Sequence, residues 1–445
     1  MSISREQLLD TFRARGHQLW LVGGALRDRL LGRKDVDQDY ATDALPDDVE
    51  EIAAALGANY TSVGKRFGTI GVLVESHWSE ITTFRGDSYT AGTRWPDVSF
   101  GTSIDEDLAR RDFTVNALAE DAFTGEWLDL FGGRQDLDRR LIRAVGEPAI
   151  RFREDPLRIL RGIRFASQLD FEVERGTQDG MEATVALLTT LSQERVTTEI
   201  DKLLQGANPE RGLELLRETG GLDMVLPELA SMPGCDQNRF HRFDVWGHTV
   251  ATVQAIEPSD DIRLRRWAAL LHDVGKPAVR HVKANGEWGF YRHETVGAEL
   301  AEALLDRLKL GRRESLVVRL LIRRHMDRPD PGDRRQVRRF MSRCEGHWAD
   351  LVALKRADNA SHTYDDRDYH DRLEAACRRA EEEDREALRA ESPLTGDDLV
   401  RMFDREPGPW IRVVKSRLSA MVLDGDLAPG DRAGAEKVAR GLLGR

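Results

Sequence analysis

The alternation of apolar and polar positions divides the chain into a mixed first third and a helical remainder. Residues 4–15 carry the spacing of an amphipathic helix packed over a first strand. Leu21-Val-Gly-Gly-Ala-Leu-Arg-Asp28 is a strand end, a glycine turn and a helix start. Pro46, just after Asp43, opens a second helix that runs to about Leu56. Strand patterns follow at 58–62, Thr69–Val74 and Trp78–Phe84, which predicts a small α/β sheet. Residues 85–100 are rich in Gly, Ser and Thr and read as a mobile loop. A helix is expected from Arg151 through Ala166, with acids and Pro156 in its first turn and Leu157, Leu160 and Ile163 on its apolar side. Further helices are expected at 176–190, 193–205 and 209–219. Pro227 and the region of Gly234 then break the pattern. Residues 366–391 read as a highly charged, solvated helix, and 396–403 and 407–415 as short helices around a Pro/Gly turn. The fold class is therefore α+β. The expected division is a head at 1–140, a helical neck and body at 141–235, a His-Asp domain at 236–361 and a helical tail at 362–445.

Composition narrows the picture. At 445 residues the chain is too long for one core. No apolar run approaches a membrane span, and the N-terminus is not signal-like, so no membrane partner is expected. Cys235, Cys344 and Cys377 are far apart and odd in number, which points to a reducing, cytoplasmic setting. The net charge of −12 speaks against broad nucleic-acid binding. Arginines are locally dense at 151–164, so any RNA must meet a local basic patch.

Candidate chemistry clusters in four stretches. The Gly23-Gly24 turn ahead of a helix leaves backbone N–H groups able to hold phosphate, and Arg27 lies one turn on. Asp37 and Asp39 alternate on an extended segment, so both carboxylates share a face, an arrangement that suits Mg²⁺. Glu80, on a strand able to lie beside that segment, is a candidate third carboxylate. In Glu106-Asp-Leu-Ala-Arg-Arg-Asp-Phe-Thr-Val-Asn-Ala117, Arg110 and Arg111 suit a triphosphate, while Asp112 and Asn116 suit ribose hydroxyls or the orientation of the arginines. Asp155, Arg158, Arg161 and Arg164 recur every three residues and read as neighbours on one surface. An Asp–Arg pair reads a base edge: the carboxylate accepts from an exocyclic amine and the guanidinium donates to the adjacent acceptor. Cytosine and adenine share that amine-acceptor edge, and uracil and guanine do not. In the second half, His248, His272-Asp273, His293, His325 and Asp358 recur at helix-scale intervals, a donor set suited to a divalent transition metal.

Val22-Gly-Gly-Ala-Leu-Arg-Asp28, Asp37-x-Asp39, Arg110-Arg-Asp-Phe-Thr-Val-Asn-Ala117 and Arg153-Glu-Asp-Pro-Leu-Arg158 occur in that order. Together they resemble the bacterial class II tRNA nucleotidyltransferases, the CCA-adding enzymes, and their poly(A) polymerase relatives. The resemblance implies a polymerase-β-like head followed by helical neck, body and tail. It implies addition of C and A to the tRNA 3′ end from CTP and ATP by two-metal transfer, with no DNA partner. Asp37 and Asp39 would then hold Mg²⁺. Gly24 and Arg27 would hold the triphosphate, and Asp155 and Arg158 would select the base, with Arg161 and Arg164 as further nucleotide contacts. Residues 241–361 are similar to the HD phosphohydrolase superfamily. That pattern makes His248, His272, Asp273 and Asp358 metal ligands, with His293 and His325 as additional ones, and implies phosphatase or cyclic phosphodiesterase activity. A Pro-Gly-x-x-Ile element at Pro407 extends the resemblance into the tail, where Trp410, Arg412 and Lys415 would meet the tRNA elbow. Phe67-Gly-Thr69 sides with CCA addition over poly(A) synthesis. Tyr89-Thr-Ala91 departs from the acid that many members carry after the loop tyrosine, which leaves enzymes adding only CC or only A in play.

Overall fold

The computed structural model describes residues 2–33, 38–88, 97–100, 103–389, 392–423, 425–428 and 430–443. Helix α1 (Arg5–Ala14) starts at a Ser4–Gln7 capping box and buries Leu8 and Phe12. Its partner surface is one face of the head sheet. In β1 (Leu19–Val22), Leu19 and Leu21 enter that core, while Val22 enters a second core on the opposite face. After α2 (Gly24–Leu30), β2 (Tyr40–Thr42) alternates likewise, Tyr40 to the first core and Ala41 to the second. Helix α3 (Pro46–Ala55) has Pro46 in its first turn, as its sequence predicts.

Strands β3 (Tyr60–Thr61), β4 (Thr69–Val74) and β5 (His77–Thr83) complete one side of the sheet. The segment expected as a loop at 85–100 is different: β6 (Arg85–Ser88) pairs with β7 (Asp97–Phe100) as an antiparallel ribbon. The inward-facing backbone groups of the two arms pair with each other, which an open loop does not achieve. Tyr89 to Pro96, including Tyr89-Thr-Ala91, lie outside the described residues. Helix α4 (Ile104–Ala109) covers the second face through Ile104 and Leu108. Strands β8 (Ala119–Asp121) and β9 (Trp127–Leu128) close the sheet in the order β3-β4-β5-β2-β1-β8-β9. β2 runs parallel to β5, and the other pairings are antiparallel.

Helix α5 (Gly133–Asp138) and strand β10 (Leu141–Ile142) lead into the helical part. The single helix expected from Arg151 is two: α6 (Pro148–Glu154) and α7 (Leu157–Leu169). Asp155 between them is extended, at φ −142° and ψ 101°. Proline disfavours a helical residue before it and offers no N–H, so Pro156 starts α7 and cannot sit inside a longer helix. Leu160 and Ile163 are buried as expected. Gly162 lets α7 approach the head, because a Cβ there would sit 2.8 Å from the Phe113 ring.

Helices α8 (Arg175–Thr184), α9 (Gln193–Leu204), α10 (Pro209–Glu218) and α11 (Gly221–Val225) follow. Then come α12 (Val245–Ala255), α13 (Ile262–Leu271), α14 (Lys276–Val279), α15 (His293–Arg307), α16 (Arg312–Arg324), α17 (Arg334–Arg343) and α18 (Trp348–Ala360). Helix α19 (Arg367–Arg389) is charged but not wholly solvated. Tyr369, Leu373, Ala376, Cys377 and Ala380 are buried, and their i, i+4, i+7 spacing gives it an inner face against α17 and α18. One apolar core runs from Ile3 to Ala380. The tail helices α20 (Gly396–Phe403), α21 (Pro409–Leu423) and α22 (Arg432–Leu443) share a separate core that begins at Leu394. The three cysteines are free and buried. Among the described residues no helix is long and apolar enough to cross a membrane.

Candidate functional site

The β1–α2 turn is built for close approach. Gly23 takes φ 70° and ψ −133° ahead of α2, and a Cβ there would lie 2.7 Å from Arg111 Nη1. Arg27, one turn into α2, is buried. It donates to Asn116 Oδ1 at 2.6 Å and to both oxygens of Asp28. Asn116 in turn donates to Asp112 Oδ1 at 3.0 Å, and Asp112 Oδ2 accepts from Arg161 of α7 at 2.7 Å. Burial opposes ionisation of Asp112, but Arg161 and Asn116 outweigh it and its carboxyl lies below the usual range. Asp112 and Asn116 thus orient arginines.

Arg110 and Arg111 stand at the end of α4, and both are held by Asp107: Arg110 reaches one carboxylate oxygen at 2.7 Å and Arg111 the other at 3.0 Å. Asp107 is 1% exposed. Its burial is outweighed by Arg111 and Arg110, which hold the carboxyl below its ordinary value. The sequence pattern missed this residue, although its i, i+3 and i, i+4 relation to the two arginines was there to read.

The arginines of α7 do not form the single surface row expected of them. Arg158 donates to Glu154 at 2.9 Å and to the Arg110 carbonyl at 2.8 Å. Arg161 pairs with Asp112 across the head–neck junction, and Arg164 turns to Glu199 of α9 at 2.6 Å. Arg158 and Arg164 are buried, so each guanidinium needs its own carboxylate. Asp155 lies off the helix and pairs with Arg195 at 3.1 Å. Phe165 was not anticipated: the Arg27, Arg161 and Arg164 guanidiniums lie 5.2, 5.5 and 4.0 Å from its ring centre.

Asp37 lies outside the described residues. Asp39 is half-buried, and its carbonyl accepts from Val22 N–H at 2.9 Å. Tyr40 is opposite Ile81 in the parallel β2–β5 pairing, which sets Glu80 opposite Asp39. Alternation turns both toward the face that α4 covers.

A second cluster forms where several helix ends meet. His272, His293 and His325 share one device: Nδ1 lies 2.7–2.8 Å from the backbone carbonyl three residues earlier, at Ala269, Phe290 and Ile322. A carbonyl only accepts, so Nδ1 carries a hydrogen and Nε2 is the nitrogen that faces the cluster. His248 Nε2 lies 3.1 Å from His272 Nε2, and His293 Nε2 lies 3.1 Å from His325 Nε2. Asp273 stands between the two pairs, Oδ2 at 3.3 and 3.1 Å from His248 and His272, Oδ1 at 3.4 and 3.9 Å from His293 and His325. Asp358 Oδ1 is 3.0 Å from His248 Nε2. Burial, then the neighbouring His293 and His272, holds the His325 imidazole well below its ordinary pKa. Asp273 Oδ1 is buried and accepts no hydrogen bond. Imidazole nitrogens gathered on two sides of one buried carboxylate are a donor set that fits a divalent cation on each side of Asp273. All six residues expected at this site therefore meet in space. A cavity of about 550 Å³ opens beside them, lined in part by Lys276, Phe240 and Tyr364. Lys276 Nζ is 2.6 Å from Asp273 Oδ2.

Residues 19–143 match the poly A polymerase head domain, 170–232 the probable RNA and SrmB-binding site of polymerase A, and 241–362 the HD domain. The A-adding tRNA nucleotidyltransferase of Deinococcus radiodurans is 36% identical over 349 residues, 76% of this chain and 75% of that protein. The chain belongs to the bacterial tRNA nucleotidyltransferase and poly(A) polymerase family. The CCA-adding enzyme of Bacillus subtilis is 46% identical over 261 residues, 58% of this chain and 61% of that protein. That of Bacillus velezensis is 42% identical over 261 residues, covering 58% and 61%. The chain thus spans about three fifths of the length of these CCA-adding relatives. The Bacillus stearothermophilus CCA-adding enzyme in complex with CTP matches with a TM-score of 0.66 at 27% identity, over 98% of this chain and 97% of that one. The poly A polymerase head match carries Arg27, Arg110 and Arg111, the α7 arginines lie just beyond its end at residue 143, and the HD-domain match carries the histidine cluster.

Proposed function

We propose that this chain adds C and A to the 3′ end of tRNA without a nucleic-acid template, using CTP and ATP. The observation that carries this reading is the continuous network from Arg27 through Asn116 and Asp112 to Arg161, joined by Arg158 on the Arg110 carbonyl. It gathers the separate sequence motifs into one arginine-rich junction between the glycine turn and α7. Its basic groups are fixed by buried acids before any ligand arrives, which is the preorganisation that phosphate recognition needs.

In this reading the Gly23 turn and Arg27, Arg110 and Arg111 hold the triphosphate. Asp37 and Asp39, with Glu80 beside them, are the ligands for Mg²⁺, which when bound lowers the pKa of the attacking 3′-hydroxyl and offsets the charge of the leaving pyrophosphate. Asp155 accepts from the exocyclic amine of cytosine or adenine, and Arg158 donates to the adjacent ring acceptor. Arg161 and Arg164 stiffen the junction around Phe165. The tail residues Trp410, Arg412 and Lys415 contact the tRNA body.

The test is single-nucleotide extension of tRNA transcripts ending at the discriminator base, at C and at CC. Each is offered CTP, ATP, UTP or GTP with Mg²⁺. Stepwise C, C and A is the expected result. Addition to the CC transcript alone assigns the A-adding role that the Deinococcus relative is named for, arrest after CC assigns the partial enzyme, and long A tails on unrelated RNA assign a poly(A) polymerase.

A second activity rests on a separate observation, the histidine cluster around Asp273. Its donors suit a divalent transition metal that activates water against a phosphoester. Wild-type hydrolysis of a phosphomonoester with Ni²⁺ or Mn²⁺, lost in His272→Ala, is the expected result. No hydrolysis with Ni²⁺, Mn²⁺ or Mg²⁺ ends this reading.

A further inference from the structure

His241 and His362 belong to none of the assignments above. The two are brought together by the backbone: they form an antiparallel bridge, and Thr363 N–H donates to the Phe240 carbonyl at 3.0 Å. Their ring centres are 4.5 Å apart, and His241 lies 4.8 Å from the His248 ring. One ligand nitrogen from each of His241, His248 and His362 falls within 4.8 Å of the others. His362 Nε2 is 3.7 Å from Asp358 Oδ1, the oxygen that also faces His248. Both rings have a buried Nδ1 without a hydrogen-bond partner. On His362 the nitrogen that faces Asp358 is the other one, Nε2, which leaves it as the ligand atom of that ring.

The pattern repeats that of Asp273. There, one carboxylate stands between two histidine pairs. Here Asp358 stands between His248 on one side and His362, with His241 beside it, on the other. We propose that His241, His362 and Asp358 form a third divalent-metal site, next to the two that share Asp273 and opening onto the same cavity. Two imidazoles and one carboxylate leave coordination positions open toward that cavity, a donor set suited to a transition metal. His362 is fixed from behind by Tyr364, whose ring stacks on it at 5.1 Å and 16°. The inference rests on reading Asp273 and its histidines as a metal centre.

Metal content separates the two readings. The full chain is stripped with a chelator, dialysed against Co²⁺ and analysed for bound cobalt, alongside His241→Ala and His362→Gln. Each variant is expected to bind one equivalent less than wild type. Crystals of the cobalt-loaded wild type supply a measurement that needs no variant: an anomalous peak about 2.0–2.1 Å from a nitrogen of both His241 and His362. Equal cobalt in all three proteins, or peaks at Asp273 with none at His241 and His362, overturns the third site and leaves the Asp273 centre standing. No peak at either place overturns both.

Discussion

In the arginine cluster at the head–neck junction, each guanidinium at the site meets a carboxylate or an amide oxygen, from its own helix or from another segment. In the histidine cluster, ring nitrogens gather around two buried carboxylates. The first arrangement is paired from within, and in the proposed function it stays rigid while an anionic ligand binds. The second leaves Asp273 Oδ1 without a donor, and in the proposed function a cation completes it. How buried polar groups are satisfied thus separates a ligand cradle from a metal centre, more clearly than residue type does.

The sharpest break is to remove a carboxylate of the proposed nucleotide site. Asp39→Ala is expected to lower nucleotide incorporation roughly 10³-fold or more, since a lost metal ligand forfeits several kcal/mol of transition-state stabilisation. Phosphoester hydrolysis at the histidine cluster is expected to persist. Single-turnover incorporation and phosphatase assays on one preparation check both arms, and parallel loss of the two activities would show that the regions are one functional unit.

Asp107 tests the idea of internal neutralisation. Asp107→Ala leaves Arg110 and Arg111 without their shared acid, and breaking a buried pair costs about 3 kcal/mol or more. The head is expected to melt earlier and KM for CTP to rise, with metal content at the histidine cluster unchanged. Calorimetry and steady-state kinetics read this out. Unchanged stability would mean that the two guanidiniums find water or another acid.

Acid separates the regions further. Burial, then nearby Lys355, pushes the His370 imidazole down to about 4, from an ordinary 6.5. Its folded pKa is depressed, so its contribution is full above pH 6.5 and is lost as pH falls from 6.5 to 4, about 3 kcal/mol in all. His241, held at about 2 chiefly by burial, acts in the same direction in the metal-free chain. The carboxylates Asp107 and Asp112 are depressed below 3.8 and hold the head until pH falls through the acid range. Hydrogen exchange of the chelated protein at pH 5 is expected to show α18 and α19 losing protection before β1 and α4. His370→Phe is expected to narrow that gap.

Much of this was legible in the sequence, and what was missed has physical causes. Period-2 and helical spacing marked the strands and helices of the head, because these are short-range signals, while the histidine set was legible through the HD-like pattern of His and Asp along the chain. Pro156 was visible, yet its consequence, two helices and an off-helix Asp155, depends on proline geometry that a helical pattern hides. The inner face of α19 was masked by its many charges, although Leu373, Ala376 and Ala380 mark it. Asp107 was hidden for another reason, since its helical spacing to two arginines reads as an ordinary ion pair, but the Phe165–Arg27 contact and the His241–His362 pair join distant segments. Only the fold brings Phe165 under three arginines or lays residue 241 beside 362.

The smallest effect is the most selective. Asp155, the acid assigned to read the base amine, is paired with Arg195 at 3.1 Å, and the two side chains remain 29% and 44% exposed. An exposed pair of this kind is worth under about 1 kcal/mol. Arg195→Ala is therefore expected to leave thermal stability nearly unchanged. It also frees Asp155 from a competing donor, so KM for CTP and ATP is expected to fall by up to about fivefold, with kcat steady. Asp155→Asn reverses the sense, because an amide presents a donor as well as an acceptor to the base amine, and discrimination against UTP and GTP is expected to weaken. Should Arg195→Ala raise KM instead, Arg195 is itself a nucleotide contact, and the ion pair is a resting position from which both residues turn to the base.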